Sequence, residues 1–361
     1  MYSNKLPCVL PWKALFMDER ENELSAVPCC ANWIRQSYGR MDTNTTMNDI
    51  WNGPGAQEIR RLLIEGRQDE LCDPDCPWLA SGRFSENDLN ILPGTSAFEE
   101  NQYLNNKEIS QRRLVLESFP MAIRIIPTLH CNIRCRMCHQ DHQAEINLPE
   151  AFMSDVRGIG PYIYDYQLHG GEVIISHRFR EWADPGWFDA NPQILLSLVT
   201  NATYIPEKSW EILKRVRINY ITVSINAATG ETYSYITGAD LFNNVLQNII
   251  SLRNLALRHV LRKFKIYLSF VIMKCNYHEL PDFIQLANEL QLPVHLLLVV
   301  GNEAGESIYT DPPILKDVLD TVQRSELLSA SEEDRLEILR VQQSLKSSIA
   351  ALNTGGISCI T

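Results

Sequence analysis

Cys131-Asn132-Ile133-Arg134-Cys135-Arg136-Met137-Cys138 is the stretch on which the reading of this chain turns, three cysteines spaced C-x3-C-x2-C. It follows the apolar run 122–129, AIRIIPTL, which reads as a buried strand. Three thiolates this close can each take one iron of a [4Fe-4S] cube and leave the fourth iron without a protein ligand. An open iron is what chemistry at a cluster requires, whereas a purely electron-carrying cluster normally has four cysteines. From the spacing alone, a zinc knuckle is the competing reading.

Working outward, the chain has 361 residues, enough for one large or two moderate domains, and a formal net charge of −11. That charge implies no general polyanion-binding surface, so nucleic acid is not an expected partner. No apolar run reaches the ~18 residues that span a bilayer. The start, Met1-Tyr2-Ser3-Asn4, has no signal-peptide core. The expectation is a cytoplasmic protein with no membrane partner. Ten cysteines in such a chain argue for metal binding rather than disulfides. Five lie in the first 76 residues, three lie in the central motif, and Cys275 and Cys359 stand alone.

Residues 1–85 read as a small module too loop-rich to hold together by core packing alone. Cys8 precedes Pro11-Trp12, Cys29 and Cys30 follow Pro28, and a hairpin is expected around Asp18 to Glu23. A helix is expected from Ala56 to Gly66, and Cys72 and Cys76 close the region. Cys8, Cys29 or Cys30, Cys72 and Cys76 form a complete four-cysteine site, which zinc would satisfy as well. Residues 86–118 are polar and read as a linker.

From Ala122 onward, strand and helix alternate as in parallel βα units. Strands are expected at 122–129, 164–169, 194–201, 220–226, 265–273 and 294–300, with the clearest helices at 241–257 and 278–290. Six such units in residues 119–305 make an α/β fold, an incomplete (β/α)6 barrel open on one side. Functional residues in these folds sit where strands end. The marked positions fall there: the three cysteines, His169-Gly170-Gly171-Glu172, Thr200-Asn201, Ser224-Ile225-Asn226-Ala227 and Cys275. Residues 306–361 read as a helical packing segment, with a capping-type start at Ser331.

These motifs resemble those of radical S-adenosylmethionine (radical SAM) enzymes. The resemblance implies that Cys131, Cys135 and Cys138 hold a [4Fe-4S] cluster whose open iron chelates S-adenosylmethionine. An electron from the cluster then cleaves the sulfonium to a 5′-deoxyadenosyl radical, which abstracts a substrate hydrogen atom. Gly170-Gly171-Glu172 resembles the family's GGE segment, where glycines permit close approach and a carboxylate suits the ammonium of SAM. Asn201, Ser224 and Asn226 stand at further SAM-contact positions, and the backbone of Met137 would approach the adenine. Asn226 replaces an aspartate, and Thr237 stands where an arginine is common.

The N-terminal pattern resembles a SPASM or twitch module, with an auxiliary [4Fe-4S] cluster on Cys8, Cys29, Cys72 and Cys76. Cys29 is preferred over Cys30 because it directly follows the proline. The reaction implied is oxidation or crosslinking of a peptide or small molecule, fed by a flavodoxin or ferredoxin. The alternatives are an epimerase with Cys275 as hydrogen donor, or a non-catalytic iron–sulfur or zinc protein. His130, His139, His142 and His169 crowd the same strand ends as open candidates for proton transfer. Glu303 and Glu306 are equally open.

Overall fold

The computed structural model describes residues 5–353 except 21–22, 31–32, 74–75, 88, 144–145, 147 and 300. Cys359 therefore lies outside the described residues. Among those described, the strands are β1 (Ala14–Arg20), β2 (Glu23–Val27), β3 (Gly39–Arg40), β4 (Ala122–Ile125), β5 (Asp165–Leu168), β6 (Leu195–Thr200), β7 (Ile218–Ser224), β8 (Lys265–Ile272) and β9 (Val294–Leu298). They run in the sheet order β3-β2-β1-β4-β5-β6-β7-β8-β9. The six strands expected from the βα pattern are β4 to β9, in sequence order within a sheet that does not close. Backbone contacts divide the chain into two compact units. The first comprises 1–130, 143–197 and 215–219; the second comprises 131–142, 198–214 and 220–361.

In the first unit the expected hairpin is β1 with β2, antiparallel, with Arg20 opposite Glu23. β1 then pairs in parallel with β4, and β4 with β5. The N-terminal cysteine-bearing segment thus extends the same sheet as the first βα strands. Helix Pro54–Ile64 forms where the expected one does, and it buries Ala56, Ile59, Leu62 and Leu63. Each large side chain there contributes roughly 1.5–3 kcal/mol. Gly66, at φ +73, stops the chain in the left-handed region that glycine tolerates. Arg60 is fully buried on this helix; its Nε donates to the Pro11 carbonyl and its Nη1 to the Leu114 carbonyl.

Residues 86–118, expected as a linker, contain helix Ser96–Ser110. The buried face of that helix is largely polar, which is why no apolar stripe announced it. Asn101 bonds the backbone of Phe119 in both directions. Asn105 donates to the Trp12 carbonyl and to Ser118, while Glu108 accepts from the Glu117 N–H and the Ser118 hydroxyl. The helix serves the backbone that leads into β4.

In the second unit β7, β8 and β9 are parallel neighbours. The C-terminal segment supplies helices Pro312–Glu326 and Glu332–Asn353. The second of these covers the exposed edge of β9. Asp334 accepts the Val294 N–H, Glu337 accepts the Leu296 N–H, and Arg340 donates to the Leu296 carbonyl. Residues three apart on a helix share one face, so a single helix face caps a strand edge that would otherwise recruit another chain.

Candidate functional site

In the second unit the cysteine loop is irregular and is held from outside. The Arg134 N–H donates to the Thr237 carbonyl at 3.1 Å, and the Arg136 N–H to the Ile236 carbonyl at 2.9 Å. Both acceptors sit at the C-terminal end of helix Gly230–Thr237, where carbonyls have no intrahelical donor. The Thr237 hydroxyl donates to the Tyr233 carbonyl at 2.8 Å and so closes the helix end. The loop is therefore anchored by backbone carbonyls, while the Thr237 side chain bonds within its own helix end.

Cys131 and Cys138 both lie within electrostatic reach of the Cys135 thiol. Burial pushes the Cys135 thiol up to about 12, and the charges of Cys138 and Cys131 add to the shift. Asn201 Nδ2 lies 3.6 Å from the Cys131 sulfur, and His142 Nε2 lies 3.2 Å from the Cys138 sulfur. Burial and the nearby Arg134 lower the pKa of His142.

Arg136 reaches further. Its guanidinium lies over the Tyr235 ring at 4.4 Å, and its Nε donates to Glu306 Oε1 at 3.2 Å. Glu306 is 4% exposed and accepts the Cys275 N–H at its other oxygen, 3.1 Å away. Burial, then a hydrogen bond and the charge of Glu306, push the Cys275 thiol up to about 12. Cys275 is thereby linked through Glu306 to the middle of the cysteine loop. Sequence reasoning left Glu306 open and did not single out Arg136, because no local spacing joins residues 170 positions apart.

Asn226 takes φ +57, a conformation asparagine tolerates better than most residues. Its side-chain oxygen accepts the Val271 N–H and its carbonyl accepts from Asn276. Asn276 is fully buried and also bonds Val271 and Met273. This asparagine pair finishes the ends of β7 and β8, and Asn276 carried no signal beyond its place after Cys275. Ser224 ends β7 half-buried opposite Ser269, and Met137 is half-buried in the cysteine loop.

In the first unit the two glycines serve a tight backbone approach. Gly170 has φ +129, and a Cβ there would lie 2.3 Å from the Thr128 carbonyl oxygen. A Cβ at Gly171 would lie 2.3 Å from the His130 oxygen and 2.4 Å from the Leu129 oxygen. The Gly171 N–H donates to Thr128 and the Glu172 N–H to His130, each at 2.9 Å. Glu172 is 1% exposed, and its carboxylate accepts the Ile174 N–H. Burial, and then the charge of Arg124, push the His169 pKa well below its ordinary value.

The N-terminal thiols gather in the same unit. The Cys29 thiol is raised well above its ordinary value by burial, then by the charges of Cys8, Cys30, Cys76 and Cys72. Burial lifts Cys8 to about 12, with Cys72 and Cys76 adding to it. It lifts Cys72 to about 11, with Cys76 the first of the charges acting on it. Backbone pairing between Ile34 and Cys72, and from Val9 N–H to Phe84, brings these segments together. Among the described residues no three donor side chains converge tightly enough to grip a single metal ion.

No family model matches the sequence. Two sequence relatives are each named "Probable GTP 3',8-cyclase". One, from Sulfurisphaera tokodaii, is 28% identical over 175 residues, covering 46% of this chain and 52% of the relative. The other, from Saccharolobus islandicus, is 25% identical over 211 residues, covering 56% and 64%. The chain therefore spans between about half and just under two thirds of the length of these curated relatives. Among solved structures, Streptococcus suis SuiB bound to S-adenosylmethionine gives a TM-score of 0.47 at 13% identity, covering 86% of this chain and 69% of that one. Methylornithine synthase (PylB) gives 0.40 at 11% identity, covering 71% and 80%. The C-x3-C-x2-C loop after β4 and the Gly-Gly-Glu after β5 are the features in which this chain resembles radical SAM enzymes.

Proposed function

We propose that this chain is a radical SAM enzyme with a [4Fe-4S] cluster on Cys131, Cys135 and Cys138 and S-adenosylmethionine beside it. The observation that carries this reading is the single loop that bears all three cysteines, anchored by two helix-end carbonyls. The donor set suits the group, because three thiolates leave one iron open. When bound, the cluster and SAM together supply one-electron cleavage of the sulfonium and hydrogen-atom abstraction from an unactivated C–H bond. The chain's own residues hold and orient. Thr237 and Ile236 fix the loop, Arg136 and Glu306 tie it to the end of β8, and Met137 presents its backbone from between Cys135 and Cys138. Gly170, Gly171, Glu172, Asn201, Ser224 and Asn226 remain the proposed SAM-side contacts.

A second [4Fe-4S] cluster on Cys8, Cys29, Cys72 and Cys76 is part of the proposal, supported by the mutual charge coupling of those thiols around Cys29. Such a cluster would accept the second electron of an oxidation or crosslinking of a peptide or small molecule. A flavodoxin or ferredoxin would supply the first. The relatives are named for a GTP cyclisation, so GTP belongs with peptides among the substrates to assay. In a Cys72→Ala/Cys76→Ala variant, SAM cleavage to 5′-deoxyadenosine should continue while oxidised product disappears. Undiminished product with the three-cysteine cluster intact would end the oxidation reading. No SAM cleavage by the reduced wild-type protein would leave an iron–sulfur or zinc protein without this chemistry.

The placement of Cys275 favours one second reading, a radical epimerase. A hydrogen-atom donor must keep its S–H, and a thiol pushed up to about 12 does so at neutral pH. The thiyl radical left on Cys275 would return to the thiol with one electron from the flavodoxin or ferredoxin and a solvent proton. Cys275→Ala should then stop turnover and abolish incorporation of solvent deuterium into product. Full turnover in that variant would remove this reading and leave the oxidation reading untouched.

A further inference from the structure

The outer cysteines of the loop each meet a nitrogen from a neighbouring side chain. Asn201 Nδ2 approaches the Cys131 sulfur at 3.6 Å and also donates to Asn132 Oδ1 at 2.9 Å. Its orientation is not free to flip. Asn201 Oδ1 accepts the Thr203 N–H at 2.9 Å and the Thr203 hydroxyl at 2.7 Å. The Thr203 Oγ1 in turn accepts from Asn132 at 2.7 Å, which closes a ring of side chains around the start of the loop. At the other end, His142 Nε2 lies 3.2 Å from the Cys138 sulfur. A thiolate bound to iron has no hydrogen to give. Whichever tautomer the ring takes when Cys138 is a thiol, only the Nε2–H form bonds that sulfur once it is a ligand.

From this geometry we infer that Asn201 and His142 are N–H donors to the ligand sulfurs of Cys131 and Cys138, and that they raise the reduction potential of the three-cysteine cluster. Hydrogen bonds to cluster sulfurs withdraw negative charge from them, so the extra electron of the reduced state is better accommodated. The inference rests on the cluster reading above and deepens it. Asn201 becomes a positioning and tuning residue that acts through Cys131.

The test is a redox titration followed by electron paramagnetic resonance on the anaerobically reconstituted full chain. The three-cysteine cluster is identified as the signal that the Cys131→Ala/Cys135→Ala/Cys138→Ala protein lacks. Asn201→Asp keeps the oxygen that holds Thr203 and removes the N–H. Its carboxylate charge by itself also lowers the potential, so the charge-free His142→Ala is the decisive variant. His142→Ala removes the second donor, and His142→Gln offers an amide N–H in its place. With iron content unchanged, Asn201→Asp and His142→Ala should each move the midpoint to a more negative potential, and His142→Gln should move it back towards wild type. An unchanged midpoint in His142→Ala would overturn the inference. So would loss of iron in both variants, because the contacts would then serve only to hold the loop. A wild-type protein with no signal dependent on the three cysteines is a separate result, the failure of the cluster reading itself.

Discussion

Protein in which Cys131, Cys135 and Cys138 are all replaced by alanine, reconstituted anaerobically with iron and sulfide, should carry about half the iron of the wild type. The expected values are about eight iron per chain falling to about four, the content of one cubane lost from two. SAM cleavage under reducing conditions should vanish. The effect is total because the three ligands come from one loop, which retains no cysteine in the variant. The anchoring bonds from Arg134 and Arg136 to Thr237 and Ile236 are made by backbone, so the loop keeps its supports when the thiols are gone. Equal iron in the two proteins would show that the loop binds no cluster. About four iron in the wild type with roughly one zinc would make the N-terminal thiols a structural site and leave the oxidation without its electron acceptor.

Gly171→Ala should be the most damaging single substitution outside the cysteines. Its Cβ would fall 2.3 Å from the His130 oxygen, 2.4 Å from the Leu129 oxygen and 2.6 Å from the Leu129 carbonyl carbon. All three are backbone atoms, so no side-chain rotation relieves the clash. The chain at Leu129–His130 must move, and His130 directly precedes Cys131. We expect a cost at the upper end of overpacking, about 3 kcal/mol, read as a lower urea midpoint, together with reduced iron loading. Gly158→Ala is the control, since nothing lies within 4 Å of a Cβ there. At this exposed helix-end position an alanine is neutral or mildly stabilising. A Gly171→Ala midpoint equal to that of the control would mean that the close approach is not needed.

The two glycines also show where reading by motif and reading by geometry part. Gly-Gly-Glu was legible from its place at a strand end, and its expected use was close approach to a ligand. In the fold the glycines are spent first on the approach of one strand end to the carbonyls of 128–130, a contact between residues some forty positions apart. Asn226 is similar: as a replaced aspartate it pointed to a SAM contact, while its side chain completes the pairing of β7 with β8.

What the sequence determined by itself was whatever repeats locally. Apolar runs and helical stripes placed all six βα strands close to where they form, and likewise the β1–β2 hairpin and helix Pro54–Ile64. Cysteine spacing marked out the loop because ligands from one segment must be near in sequence. Tertiary structure alone decided the rest. Helix Ser96–Ser110 was hidden because it buries Asn101, Gln102, Asn105 and Glu108, and a face that satisfies backbone groups has no hydrophobic period. The chain Arg136–Glu306–Cys275 was hidden for a different reason. A buried carboxylate takes whichever donors the fold brings to it, and donors and acceptor separated by tens to hundreds of residues leave no trace in local spacing.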